Sequence, residues 1–233
     1  MKREFILTAD GSSSVAIPQL DLTYHSRHGA IQESMHVYIE GGLKYLFSKT
    51  TEPVLIFEMG FGTGLNAFLT AIEAEKHQRR VYYTSIEPYP LKPVEALQLN
   101  YGDLLNKKDH FLKLHESNWE EEIPLNPFFT FQKRKTDFTT CSTSKKFNLI
   151  YYDAFAPAAQ PELWTVDIFQ KLYNLLLPGG ILVTYSAKGS VRRAMKTAGL
   201  QVTKLPGPKG KREMLRAEKT AQVCCSECSQ ANL

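Results

Sequence analysis

Four acidic residues stand at or just beyond the ends of short apolar runs, and the first of them leads into a glycine turn. Val54-Leu55-Ile56-Phe57-Glu58 runs into Gly60-Phe61-Gly62-Thr63-Gly64, and Val81-Tyr82-Tyr83-Thr84-Ser85-Ile86 ends on Glu87. Phe128-Phe129-Thr130-Phe131-Gln132 leads to Asp137, and Phe147-Asn148-Leu149-Ile150-Tyr151-Tyr152 ends on Asp153. Alternate glycines let a backbone turn sharply from strand to helix and approach a ligand closely. The spacing is E-x-G-x-G-x-G, and Leu65 occupies the place of the third glycine in the nicotinamide and flavin fingerprint. A pyrophosphate prefers bare helix amides with no anion beside them. Glu58 instead suits a ligand with a cationic end. Glu87 lies 23 residues after Gly64, at the end of the next run, where a carboxylate can accept from two ribose hydroxyls. A nucleoside with an ammonium and a sulfonium fits both acids, and that ligand is S-adenosyl-L-methionine. Asp137 is placed to accept from the adenine amine, with Phe138 against the ring.

These residues need elements to hold them. Continuous apolar runs read as buried strands, and they alternate with amphipathic stretches at about 65–76, 93–105, 161–177 and 191–198. Ile181-Leu182-Val183-Thr184-Tyr185-Ser186, Leu200-Gln201-Val202-Thr203 and Glu213-Met214-Leu215-Arg216-Ala217 complete a set of seven strands. Alternation of this kind predicts an α/β, Rossmann-like class I fold: a mostly parallel seven-stranded sheet with helices on both faces. Ligands in such sheets bind beyond the carboxyl ends of the strands, so the four acids should face one crevice. Residues 1–53 have weaker periodicity and read as an N-terminal extension packed on the sheet. The methyltransferase domain is expected over 54–218, with a flexible tail at 219–233.

At 233 residues and 43% hydrophobic, the chain is long enough for one sizeable core. No run is long and apolar enough for a membrane span or a signal peptide, so a cytoplasmic protein is expected. Cys225 and Cys228 have C-x-x-C spacing without a second pair or a histidine, and Cys141 and Cys224 stand apart from any such pattern; neither a metal nor a flavin is expected. His25 and His28 read as packing or surface residues. Charge is uneven: residues 188–219 hold ten Lys/Arg against Glu213 and Glu218, while the first 187 residues are slightly acidic. A basic third beside an acidic body points to a polyanionic partner.

Taken in order, the segments 58–66 (Glu58 to Asn66), Asp153-Ala154-Phe155-Ala156-Pro157, Pro161-Glu162-Leu163-Trp164-Thr165, Val191-Arg192-Arg193 and Lys211-Arg212-Glu213-Met214-Leu215 resemble the tRNA wobble-uridine methyltransferases called MnmD. These correspond to the methyltransferase half of the bifunctional MnmC. Tyr24-His25-Ser26 and the segment 29–34 resemble that family's entry region. The chain ends at Leu233, so the resemblance is to the single-domain form. It implies methylation of 5-aminomethyl-2-thiouridine to 5-methylaminomethyl-2-thiouridine in the tRNA anticodon, with no obligate protein partner. It also adds Asn66 to the cofactor residues Glu58, Gly60, Gly62, Gly64, Glu87, Asp137 and Phe138.

The chemistry is compatible. A primary alkyl amine is mostly protonated at neutral pH, with a pKa of roughly 10, and must lose a proton to become a nucleophile. Asp153 is the catalytic candidate, orienting the amine and helping its proton leave. Tyr152 and Phe155 are placed to frame a flipped base, and Tyr185 to line the same pocket. Arg192, Arg193, Lys211 and Arg212 are the candidate phosphate contacts. Three other readings remain open: a methyltransferase of the same fold acting on a small-molecule amine, a nicotinamide-dependent oxidoreductase, and a non-catalytic RNA-binding module.

Overall fold

The computed structural model describes residues 2–220. The N-terminal extension has its own small antiparallel sheet, β1 (Glu4–Leu7), β2 (Ser13–Ile17) and β3 (Leu22–Thr23). A continuous helix, α1 (30–47), follows; it is α-helical over Ala30–Ser34 and Tyr45–Phe47 and π-helical over Met35–Lys44. Gly29 precedes it without a capping side chain, so the first free amides are satisfied from the β1–β2 turn. Thr8 Oγ1 and Ser12 Oγ both accept from Ala30 N at 3.2 Å, and Asp10 Oδ2 accepts from Gln32 N at 3.0 Å. Gly42 lets α1 lie directly on the main sheet: a Cβ there would stand 3.1–3.3 Å from Val183, Leu149 and Tyr151.

The main sheet contains β4 (Val54–Met59), β5 (Val81–Ile86), β6 (Glu122–Asn126), β7 (Phe129–Arg134), β8 (Phe147–Tyr152), β9 (Leu176–Thr184), β10 (Gln201–Pro206) and β11 (Glu213–Glu218). Its order is β10-β11-β9-β8-β4-β5-β7-β6, parallel from β9 to β7. Among the described residues this sheet therefore has eight strands, not seven. The additional strand is β6, which carries Pro124 and pairs antiparallel at the edge, where proline is tolerated. The helices are α2 (Leu65–Lys76), α3 (Pro93–Ala96), α4 (Tyr101–Leu104), α5 (Lys108–Glu116), α6 (Val166–Leu175) and α7 (Gly189–Thr197). The stretch expected as one helix at 93–105 is thus two short ones. Helix α5 has only Phe111 and Leu114 buried, too few to mark a period in sequence.

Side chains alternate across the central strands. Ile56, Tyr83, Phe131, Leu149, Tyr151 and Val183 pack on one face beneath α1, α2 and α5. On the other face Phe57, Ile150, Tyr152 and Leu182 pack against Trp164 and against Phe169 and Met195 of α6 and α7. That second layer is incomplete. The 135–146 crossover between β7 and β8 carries no helix, and a groove of about 410 Å³ remains over Tyr82, Thr84, Thr130 and Gln132. The ladder also runs past 218, since Lys219 exchanges backbone bonds with Gly179 and Gly180. Cys224, Cys225, Cys228 and most of the expected tail lie outside the described residues. Among the described residues no helix is long and apolar enough to cross a membrane.

Candidate active site

Strand β4 delivers its carboxyl end into a turn whose three glycines all have positive φ: Gly60 at 93°, Gly62 at 51° and Gly64 at 73°. The turn is strapped to the end of β5. Ile86 O accepts from Gly60 N and Phe61 N, each at 3.1 Å, and Glu87 Oε2 accepts from Gly62 N at 3.0 Å. Glu87 Oε1 takes Tyr89 N at 2.8 Å, and burial raises its carboxyl above the usual range despite both bonds. From the other side His115 Nε2 meets Thr63 O at 3.0 Å. A Cβ on Gly60 would stand 3.0 Å from the carbonyl of Asp153, so the turn abuts the end of β8. Over Gly62 the nearest atom is 3.4 Å away, on the ring of Tyr24, which the extension hangs above the turn.

Two acids face one another behind this turn. Glu58 is fully buried; its Oε2 accepts from Ser85 Oγ at 2.6 Å, while Oε1 has no partner. Burial, and then the charge of Asp153, pushes its pKa up to about 8. Asp153 is half-buried at the end of β8, and each of its oxygens is held. Tyr38 Oη donates to Oδ1 at 2.6 Å, and Asn66 Nδ2 donates to Oδ2 at 2.8 Å. Burial raises its pKa to about 6, with the two donors working against the shift. Tyr38 comes from the π-helical part of α1, a segment whose sequence pattern carried no site residue. Glu33, one turn earlier, adds a negative charge felt by Asp153.

The expected residues do not all converge. Tyr152 is fully buried on the far face of the sheet, its hydroxyl donating to Leu163 O and its ring edge-on to Trp164, so it cannot stack on a base. Strand alternation put Tyr151 toward α1 and Tyr152 away from it. Phe138 is also turned inward, 4% exposed and packed against Phe57, which corrects its assignment to the adenine ring. Asp137 is half-buried in the loop after β7, where its Oδ1 accepts from Thr139 N and Oγ1. Phe155 and Tyr185 are half-buried beside Asp153: Phe155 is edge-on to Tyr24 at 5.3 Å, and Tyr185 Oη donates to Ala154 O at 2.8 Å.

Lys211 also departs from expectation. Its Nζ donates to Glu33 Oε1 at 2.5 Å and lies 4.0 Å over the Tyr185 ring, so it belongs to the crevice wall and not to an open phosphate surface. Arg193 and Arg212 are exposed and Arg192 is half-exposed, none of them in an ion pair among the described residues. His25 is buried between Ser14 and Thr63, and His28 is exposed against Gly210.

A family model described as S-adenosyl-L-methionine-dependent methyltransferase matches residues 113–220, which hold Asp137, Asp153 and the basic segment. The chain is 32% identical over 213 residues to the tRNA 5-methylaminomethyl-2-thiouridine biosynthesis bifunctional protein MnmC of Leptospira borgpetersenii, covering 84% of this chain and 32% of that one. It is 31% identical over 229 residues to the protein of that name from Cupriavidus metallidurans, covering 91% and 33%. The chain thus spans about a third of the length of the curated relatives it matches. Among solved structures it superposes on MNMC2 from Aquifex aeolicus with a TM-score of 0.75, at 24% identity, covering 94% of this chain and 71% of that one. The likeness to the MnmC proteins bears out the resemblance read from the sequence, and the superposition bears out the class I methyltransferase fold.

Proposed function

We propose that this chain, an S-adenosyl-L-methionine-dependent methyltransferase related to the methyltransferase part of the MnmC proteins, methylates the amine of 5-aminomethyl-2-thiouridine at the tRNA wobble position. The observation that carries the reading is Asp153: a half-buried acid at a strand end, against the glycine turn, with both oxygens anchored. The turn fits the cofactor, because Gly62 keeps its open side beneath Tyr24 and a partnerless acid oxygen lies behind. Gly60, Gly62, Gly64, Glu87 and Asp137 would hold it, with Glu58 and Asn66 at the back. When bound, it supplies an electrophilic methyl on a sulfonium.

The chain's own residues supply the rest. At neutral pH Asp153, with a pKa of about 6, is mostly ionised and accepts a hydrogen bond from the substrate ammonium. The ammonium, whose free pKa is roughly 10, then passes one proton to Asp153, and the lone pair so freed on nitrogen is what takes the methyl group. Tyr38 and Asn66 fix the carboxylate plane, so the amine is oriented as well as deprotonated. Phe155 and Tyr185 form apolar walls beside the acid, and Arg192, Arg193 and Arg212 offer charge to RNA phosphates. The rival reading, a small-molecule amine as substrate, leaves that surface without a role. Methyl transfer by the full chain, offered either tRNA bearing the 5-aminomethyl nucleoside or the free nucleoside, separates the two. Turnover on tRNA that weakens with salt supports the proposal, and equal turnover on the free nucleoside, indifferent to salt, overturns it.

A further inference from the structure

The loop from β5 to α3, Glu87-Pro88-Tyr89-Pro90-Leu91-Lys92, starts on the carboxylate that straps the glycine turn. Pro88 and Pro90 carry no N–H, so the loop has few donors of its own and its carbonyls need partners from elsewhere. Arg3, the residue preceding β1, supplies them. Its Nη2 donates to Tyr89 O at 2.5 Å, and its Nη1 donates to Pro90 O at 3.2 Å and to Glu95 Oε2 at 3.0 Å. Glu95 Oε2 also accepts from Lys92 N at 2.7 Å, which closes the far end of the loop on the same carboxylate. The two side chains are 16% and 20% exposed, so the pair is largely shielded from the solvent that would screen it. One planar fork thus serves three acceptors within residues 89–95.

The effect reaches the glycine turn. Tyr89 is gripped on both sides, its carbonyl by Arg3 and its N–H by Glu87 Oε1 at 2.8 Å. The other oxygen of Glu87 takes Gly62 N at 3.0 Å. Arg3, Tyr89, Glu87 and Gly62 therefore form a continuous run of hydrogen bonds from the N-terminal extension to the middle of the turn. The Arg3 charge also bears on Glu87 and on Tyr24, whose ring lies over Gly62, and it opposes the effect of burial on both. We propose that Arg3 is a positioning residue for the cofactor: acting through the Tyr89 backbone, it fixes the plane of the Glu87 carboxylate before the ribose arrives. The proposal rests on the reading of Glu87 as a cofactor residue and adds the device that aims it. An acceptor already held in its binding geometry spends no affinity on being ordered. Arg3 makes no hydrogen bond to Glu87 itself, so its influence passes through the loop. The plain alternative is a staple that fixes the extension to the body and leaves the ligand unaffected.

Hydrogen exchange on the full chain, without ligand, tests the coupling directly. In Arg3→Met the Tyr89 and Gly62 amides, both donors to Glu87, should exchange about tenfold faster than in the wild type, while the amides of β4 keep their protection. Unchanged exchange at Tyr89 and Gly62 overturns the proposal. In calorimetric titration with S-adenosyl-L-homocysteine, Arg3→Met should raise Kd about tenfold, and KM for S-adenosyl-L-methionine should follow, with kcat at saturation within about twofold of wild type. A lower Tm with Kd and KM unmoved would reduce Arg3 to the staple. Arg3→Lys keeps the charge and loses the fork, so it should bind nearly as poorly as Arg3→Met; full recovery by lysine would contradict the account. Glu87→Gln separates the proposal from the reading beneath it. That variant should bind weakly by itself, and adding Arg3→Met to it should cost less than about a further twofold, because the two act as one unit. Normal binding by Glu87→Gln overturns the assignment of Glu87 and the proposal with it. Weak binding by Glu87→Gln with the full tenfold loss on top overturns the proposal alone.

Discussion

Replacing Asp153 by asparagine keeps its shape and an acceptor oxygen but removes its charge. The expected result is a kcat lower by roughly 100-fold, with cofactor affinity near wild type, since a general-base contribution has about that size. In the wild type, activity should be present above pH 6 and lost as pH falls through the raised pKa of about 6, because only the ionised acid accepts the proton. The variant should lack that limb, and its rate should climb into the alkaline range, where the amine deprotonates unaided. Single-turnover rates across pH check both statements. At the turn, Gly62→Val should abolish cofactor binding in a calorimetric titration while the fold persists. A β-branched residue is strained at a φ of 51° and would press on Tyr24. These positions were legible in the sequence because the signal is local: an apolar run, an acid and glycines at fixed spacing. Tyr152 was not, because adjacent residues of a doubly buried strand are equally apolar, and only the sheet decides which faces α1.

Helix α1 is where the sequence stopped being informative. Residues 1–53 read only as a weakly periodic extension, whereas Val37, Ile39 and Leu43 are buried in the core and Tyr38 meets Asp153 through a contact between segments 115 residues apart. The π-helical stretch over Met35–Lys44 changes the angular spacing of side chains, so a 3.6-residue period does not reveal which face Tyr38 joins. Tyr38→Phe removes a hydrogen bond to a charged group, worth about 1.5–3 kcal/mol, so kcat should fall by roughly 10- to 100-fold. The same donor favours the ionised form of Asp153 and lowers its pKa. Its loss should shift the acid limb to higher pH, the opposite of the flattening expected for Asp153→Asn. A fall in kcat without that shift would assign Tyr38 to packing alone. Helix α5 and strand β6 were hidden for plainer reasons: two buried apolar residues in the one and an edge proline in the other.

Across the whole molecule, the basic 188–219 stretch serves both the crevice wall, through Lys211, and an open surface, through Arg192, Arg193 and Arg212. The excess of Lys/Arg in 188–219 was plain from composition, but not its partition. Lys211, Arg216 and Lys219 are engaged by Glu33, by the Tyr45 ring and by backbone carbonyls, while Arg192, Arg193 and Arg212 stay open. Arg192→Ala combined with Arg193→Ala should weaken tRNA binding and reduce its log–log salt slope by about two, one for each phosphate that an arginine no longer neutralises. Cofactor affinity should hold. An unaltered slope in filter-binding titrations would reduce this surface to a solubilising face. The eight-stranded sheet, the strapped turn and the N-terminal helix together bring one anchored acid to a cofactor turn, and the proposed reaction depends on what that acid acts upon. Nucleoside mass spectrometry of tRNA from cells lacking this protein tests it most directly. The predicted result is accumulation of 5-aminomethyl-2-thiouridine and loss of its N-methylated product, restored by the wild-type chain and not by Asp153→Asn. An unchanged nucleoside profile would contradict it.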